Sequence, residues 1–206
     1  MKVLLKLDGR PESGVGSPLV MHNERLADPL DDIVRSISAI SKKRSKTEAD
    51  HLEIARLEFE GGLYTNGNGP CLPAWNILRC LQDGAKRHKR GVDVLRGVYP
   101  LVDHADVVYD GPRETEALWK DGGFALRKTV GIQRSRTMRT RPIFQDWQAE
   151  LPVEVDAKVF DLDTLANCWK DAGIYAGLGE MRPVYGRFTA SLEEQACWRV
   201  RTELET

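Results

Sequence analysis

Alternation and helical spacing divide the chain into a series of short elements. From Lys2 to Leu7, Val3, Leu5 and Leu7 fall on one side and Lys2, Leu4 and Lys6 on the other. That is the pattern of a strand whose second face, at Leu4, is partly covered. Gly9 to Gly16 is turn-rich, and Ser17-Pro-Leu-Val-Met21 returns to an extended conformation. Asp28 followed by Pro29 predicts a helix start, with Leu30, Ile33, Val34, Ile37 and Ile40 at helical spacing behind it. After a basic break, Ser41-Lys-Lys-Arg-Ser-Lys46, Thr47 and Asp50 form a capping pattern. The helix they open runs to about Phe59, where Gly61-Gly62 ends it.

Leu63-Tyr64 and Cys71-Leu72 flank Thr-Asn-Gly-Asn-Gly, a hairpin signal. Pro73 then opens a helix expected to turn Trp75, Ile77, Leu78, Leu81 and Ala85 inward. Val92 to Val102 and Asp106 to Tyr109 read as short strands or irregular connections, and Pro112 to Trp119 as a brief helix. From Trp147 to Asp156 the apolar side (Trp147, Ala149, Leu151, Val153, Val155) alternates with a polar one, and Pro152 marks an edge or bulge. Asp161 caps a last helix with Leu162, Leu165, Ala166 and Trp169 on its buried side, and a final strand runs from about Tyr185 to Leu192. Beyond Glu193, Trp198 and Val200 alternate with charges and define no element. The order fits an α+β fold: a ferredoxin-like (RRM-like) βαββαβ core in a single domain over residues 1–206. A helical and hairpin insertion occupies roughly residues 41–125 of it.

Composition narrows the function classes. With 206 residues, 30% charged and 41% hydrophobic, the chain has the make-up of a soluble globular protein. A net charge of −1 gives no bulk attraction to nucleic acid, so such a site must come from local clustering. The apolar run at the N-terminus is too short for a signal peptide or a membrane span, which points to the cytoplasm and no membrane partner. Four cysteines without a Cys-x-x-Cys pair indicate neither zinc nor a disulfide framework, and no metal or cofactor is expected. Walker, His-Glu-x-x-His and Gly-x-Ser-x-Gly patterns do not occur.

Three stretches do concentrate chemistry. Phe124 to Phe144 contains Arg127, Lys128, Arg134, Arg136, Arg139 and Arg141 and no acid. An extended chain puts Arg134 with Arg136, and Arg139 with Arg141, on shared faces. Such a stripe neutralises a phosphate backbone, although an edge strand guarded by cations has the same composition. Lys86, Arg87, His88, Lys89 and Arg90 form a second basic run, which a solvated helix end also explains. The third is Gly177 to Phe188, where Gly177, Gly179 and Gly186 surround Arg182, Tyr185 and Arg187. Glycines let a backbone approach, arginines suit phosphates and rings stack bases; a helix C-cap followed by a tight turn uses the same residues.

Ser17-Pro-Leu, Pro70-Cys-Leu-Pro-Ala-Trp-Asn-Ile-Leu-Arg79 and Gly177-Leu-Gly-x-x-Arg-Pro-x-Tyr-Gly-Arg-Phe188 lie in the order of landmarks in one superfamily. The chain resembles the repeat-associated mysterious proteins (RAMPs), which include backbone subunits of CRISPR effector complexes. Ala74-Trp75 departs from the Gly-Ser usual there. The resemblance implies a ferredoxin-like sheet and subunits packed along a single strand, as a homo-oligomer, a helical filament or a part of a CRISPR-type complex. The expected function is therefore a non-catalytic binder of single-stranded RNA or DNA, RNA slightly favoured, in a bacterial or phage-infected cell. A phage single-stranded DNA-binding or annealing protein is the DNA version. An alternative from the same resemblance is a metal-independent endoribonuclease, with His22 and Asp28 in the region where several relatives carry catalytic residues. A strand-end hydrogen bonder and a helix cap account for the same two residues. A structural or inhibitory protein that engages a CRISPR-like complex is the third possibility.

Overall fold

A computed structural model describes residues 1–132 and 135–195. Arg134 of the basic stretch and Cys197, Trp198 and Val200 near the C-terminus lie outside the described residues. In chain order the strands are β1 (Lys2–Asp8), β2 (Leu19–Val20), β3 (Thr65–Asn66), β4 (Gly69–Pro73), β5 (Val98–Pro100), β6 (His104–Val108), β7 (Ala125–Ile132), β8 (Ser135–Phe144), β9 (Gln148–Val155) and β10 (Thr189–Glu194). The helices are α1 (Asp32–Ser41), α2 (Glu48–Gly62), α3 (Ala74–Ala85), α4 (Gly91–Gly97), α5 (Thr115–Asp121) and α6 (Leu162–Asp171). The fold is α+β with antiparallel sheets. None of these helices is long and apolar enough to cross a membrane.

The larger sheet has the order β10-β1-β9-β6-β4-β3, with β5 also paired to β9. Its register follows from the alternation of β1 and β9. Val3, Leu5 and Leu7 stand opposite Val153, Leu151 and Ala149, so one face is wholly apolar. Against that face α3 contributes Ile77 and Leu81, and α6 contributes Leu165 and Trp169, in one continuous core. Phe188 closes it, with Trp147 and Trp169 at ring-centroid distances of 6.1 and 6.4 Å. The smaller sheet, β2-β8-β7, packs through β8 on α2, which in turn carries α1.

Several elements differ from the sequence pattern, each for a local reason. Asp28 does not open α1: its carboxylate accepts from Leu30 N–H (2.8 Å) in a turn. Asp31 caps the helix instead, accepting from Ile33 N–H at 2.9 Å. The Thr47–Asp50 capping box forms, but α2 continues through both glycines to Gly62. Those glycines are packing points rather than terminators. A Cβ on Gly61 would lie 2.6 Å from Leu26, and one on Gly62 2.9 Å from Pro142. Trp75 is 59% exposed, because it falls out of phase with the Ala74, Ile77, Leu78 and Leu81 face of α3. Residues 91–97 are helical despite their valines, since packing on α3 outweighs their strand propensity. On α6 the buried positions are Leu165, Cys168 and Trp169, with Ala166 exposed. The final strand starts at Thr189, four residues after Tyr185, where the irregular loop ends. Pro152 is central, not at an edge: β9 pairs with β1 on one side and with β5 and β6 on the other. Its carbonyl accepts from Leu101 N–H at 2.9 Å, so its nitrogen points the same way, where the β5 ladder ends.

Candidate nucleic-acid groove

The Ser17–Met21 segment and the glycine-rich loop, far apart in sequence, are one structural unit. Ser17 N–H donates to the Arg187 carbonyl, Gly186 N–H to that of Pro18, and Glu180 N–H to that of Val20, at 2.8–3.0 Å. Ser17 Oγ accepts from Arg187 N–H, and Trp147 Nε1 donates to the Ser17 carbonyl, both at 2.9 Å. The glycines serve this stitching. At Gly179 (φ +77°) a Cβ would sit 2.2 Å from the Val20 carbonyl oxygen, and at Gly186 (φ +74°) 1.7 Å from that of Leu178. The space they leave is thus filled by the chain's own backbone. Gly177, also at positive φ, ends the turn after α6 and donates to the Ala172 carbonyl at 2.8 Å.

The acid-free stretch is the β7–β8 hairpin, and its register divides the cations between two faces. Lys128 stands opposite Arg139 and Leu126 opposite Arg141, while Arg127 and Arg136 belong to the alternate set. Arg127, Lys128 and Arg136 are exposed. Arg139 and Arg141 are not free cations. Arg139 Nη1 donates to the carboxylate of Glu58, a residue buried on α2 that also accepts from Thr140 N–H at 2.8 Å. Arg141 pairs with Glu180 of the glycine-rich loop at 2.5 Å, and only 8% of its side chain is exposed. Lys128 lies over the Tyr185 ring at 5.0 Å, so the hairpin leans on that same loop.

The second basic run is largely engaged too. Lys86 pairs with Asp83 (2.7 Å), Arg87 and His88 with Asp171 (3.0 and 3.2 Å), and Arg90 with Asp93 (2.6 Å). Lys89 adopts positive φ at the end of the turn and is exposed. Arg87 stacks 3.9 Å from the centroid of Tyr175, and Arg90 also donates to the Val159 carbonyl. Arg182 donates to the Gly177 carbonyl at 3.4 Å and approaches Asp83 at 3.8 Å, and Arg187 is exposed.

Three cavities share lining residues across these elements. The first, ≈ 450 Å³, lies between α1 and the hairpin, with His22, Glu58, Arg139, Arg141 and Glu180 among its lining. His22 and Glu180 also line the second, ≈ 250 Å³, beside Tyr64, Asn76, Arg79 and Arg182. Arg182 in turn lines a third, ≈ 400 Å³, with Asp83, Arg87 and Tyr175. The cavities form a series, a candidate groove, from the hairpin, by His22 and the glycine-rich loop, to the end of α3. Five arginines (Arg79, Arg87, Arg139, Arg141, Arg182) line it against three carboxylates (Glu58, Asp83, Glu180). With Asp171, which pairs with Arg87, counted as well, the arginines exceed the carboxylates by one.

His22 sits at the junction, its carbonyl held by the Tyr64 hydroxyl at 3.2 Å. Its Nδ1 is buried without a hydrogen-bond partner among the described residues. Burial, and then the nearby Arg141 and Arg139 guanidiniums, push its pKa below the ordinary value, against the pull of Glu180 and Glu58. Neutral near pH 7, it can accept a proton. Asp28 lines none of the three cavities.

Of the groove residues, sequence patterning brings out Arg87, Arg139, Arg141, Arg182 and His22 but misses Glu58, Glu180, Arg79, Asn76 and Tyr64. Glu58 carried a signal, since it falls in phase with Ala55 and Gly62 on the buried side of α2. The open face of the larger sheet is a different environment. Lys6 there meets Glu150 (3.9 Å) and Glu193 (2.7 Å), Glu154 stands opposite Lys2, and β1, β9 and β10 place no aromatic on it. Tyr99 of β5, 47% exposed and opposite Glu154, does put a ring on that face, but among carboxylates, so base stacking there, the mode of RRM sheets, would meet a negative surround. Among the described residues no three His, Cys, Asp or Glu side chains gather to hold a metal ion. Cys71 and Cys80 are buried, and burial pushes their thiols up to about 11 and about 12. Compared with known proteins, the chain matches no family model and no curated protein sequence.

Proposed function

We propose that this protein is a non-catalytic binder of single-stranded nucleic acid, with RNA slightly favoured over DNA, and that the strand runs in the groove described above. The observation that carries this is the sharing of His22, Glu180 and Arg182 between successive cavities, which sets Arg79, Arg182 and Arg87 in series, with the ion-paired Arg139 and Arg141 at one end. Arginine forks suit phosphates, and Tyr64 and Tyr175 offer rings beside them. A strand rather than a duplex fits, because among the described residues no helix presents a basic face to a major groove.

The same proposal extends to the fold. The order β10-β1-β9-β6, all antiparallel, with α3 leading to β6 and α6 to β10, supports a ferredoxin-like core of the βαββαβ kind. The added elements then enter at three places: between β1 and α3, between α3 and β6, and between β6 and β9. Assembly of copies along the strand, as the resemblance to RAMP backbone subunits implies, belongs to the same proposal. It predicts a bound mass that grows in steps with strand length.

Fluorescence-anisotropy titration of labelled single-stranded RNA, single-stranded DNA and duplex over a salt series tests the function. Single strands should bind more tightly than duplex, with log K falling linearly against log salt. Absent or salt-independent binding would remove the proposal. A second reading rests on His22 alone. A neutral imidazole lining the groove suits proton transfer to or from a 2′-hydroxyl. Metal-independent cleavage products that vanish in His22→Ala would favour an endoribonuclease over the binder.

A further inference from the structure

The cavity between α1 and the hairpin is built unlike the rest of the groove. Ile33, Val34, Ile37 and Ile40 fall on one side of α1, yet none of the helix's ten residues is buried. An amphipathic helix normally covers such a stripe with core. Here part of the stripe, Val34 and Ile37, looks across ≈ 450 Å³ of space, with Leu26 and Val130 as further aliphatic lining. The remaining lining is polar and charged: His22, Ser38, Glu58, Arg139, Arg141 and Glu180. Aliphatic walls with a few placed polar groups are the make-up of a pocket for a small flat ligand.

The polar groups differ in what they have left to offer. Glu58 is spent, one oxygen on Arg139 and the other on Thr140 N–H, with 4% of its side chain exposed. Glu180 gives Oε2 to Arg141 and keeps 28% exposure, while its backbone is pinned by the bond to Val20. Arg139, 31% exposed, also lines the cavity and has only Nη1 on Glu58. His22 lines the cavity too, its buried Nδ1 without a partner among the described residues. The cavity therefore presents a carboxylate acceptor and a guanidinium donor, each held by its own ion pair.

We propose that this cavity receives one guanine base turned out of the bound strand, held between the aliphatic side chains and read at its edges by Glu180 and Arg139. The inference rests on the strand-binding function proposed above. Guanine is the base that fits both partners. Its N1–H and N2–H are adjacent donors for one carboxylate, and its O6 and N7 are adjacent acceptors for one guanidinium. Adenine sets an N1 acceptor against the carboxylate, cytosine an N3 acceptor, and uracil flanks its single N–H with two carbonyls.

Competition anisotropy with oligouridine carrying one central guanosine, inosine, adenosine or cytidine tests it, beside free guanosine monophosphate. Guanosine should outcompete adenosine and cytidine by about ten- to a hundredfold, the worth of one well-formed bidentate contact. Inosine, lacking the N2 amine, should fall between them. Glu180→Gln, and separately Ile37→Trp to fill the cavity, should each bring the guanosine oligomer down to the others, with melting curves run alongside to show that both variants fold. Equal affinity for all oligomers overturns the pocket while leaving strand binding in place. No binding of any oligomer overturns both. Binding of the free nucleotide without any oligomer also overturns the proposal, because the base is then not drawn from a strand.

Discussion

Gly186→Ala measures how tightly the glycine-rich loop is tied to the Ser17–Met21 segment. Position 186 has φ +74°, and an added Cβ would fall 1.7 Å from the Leu178 carbonyl oxygen. The left-handed conformation alone costs a non-glycine residue about 1–2 kcal/mol. Relieving the overlap must also disturb two bonds, Gly186 N–H to the Pro18 carbonyl and Leu178 N–H to the Gly186 carbonyl, both 2.8 Å. At about 1 kcal/mol each, the total reaches about 3–4 kcal/mol. Gly122 is the control: it has φ +76° but nothing within 4 Å of its added Cβ, so Gly122→Ala pays only the conformational cost. For a chain of this size, Gly122→Ala should lower Tm by about 4 °C and Gly186→Ala by about 10 °C. Calorimetry and urea titration of both variants give the comparison. Equal losses would refute the reasoning, since the loop would then yield freely and the stitching would not be a unit.

Glu58→Ala strips the partner from Arg139 and leaves the buried Thr140 N–H unsatisfied, for about 3 kcal/mol, whereas Glu58→Gln keeps an acceptor and should cost about half as much by urea titration. His22 has a folded pKa below its ordinary 6.5, so its contribution is complete above that value and is lost as pH falls from 6.5 towards the lowered folded pKa. Stability measured between pH 7.5 and 5 should decline less in His22→Gln than in the parent. Asp50, drawn down from 3.8 to about 2 chiefly by the Lys43 hydrogen bond and then Thr47 N–H, contributes above pH 3.8 and loses that contribution between there and about 2. Asp50→Asn should flatten this acid limb, and Thr47→Ala, which removes the cap itself, should cost about 1 kcal/mol at neutral pH.

Alternation made β1 and β9 legible, because a period of two needs no knowledge of the partner strand. The Thr47 capping box, the Asn-Gly hairpin and the Asp161 cap were legible for the same reason: each is a local device completed within a few residues. What was not legible depended on distant packing. Gly61 and Gly62 look like a stop signal until Leu26 and Pro142 are placed against them. Residues 91–97 carry strand-forming valines, yet α3 holds them helical. The candidate site shows the same division. The cations of the hairpin were visible in the sequence, but not that Glu58 and Glu180 neutralise two of them. A carboxylate partner some 40 or 80 residues away leaves no mark on local spacing. Nor could the pattern show that the register of β7 and β8 puts Arg127 and Arg136 on the face opposite Lys128, Arg139 and Arg141.

That division of faces gives the most direct test of the central claim. Arg79, Arg87 and Arg182 line the groove and can be replaced together, and Arg127 and Arg136 lie on the hairpin's other face. Anisotropy titration of single-stranded RNA should be run over a salt series for the parent, for Arg79→Ala/Arg87→Ala/Arg182→Ala, and for Arg127→Ala/Arg136→Ala. At about 0.7 per phosphate contact on a single strand, the groove variant should flatten the slope of log K against log salt by about 2, while the outer-face variant keeps the parent's slope. A slope lost in the outer-face variant and kept in the groove variant would contradict the account and put the strand on the hairpin alone.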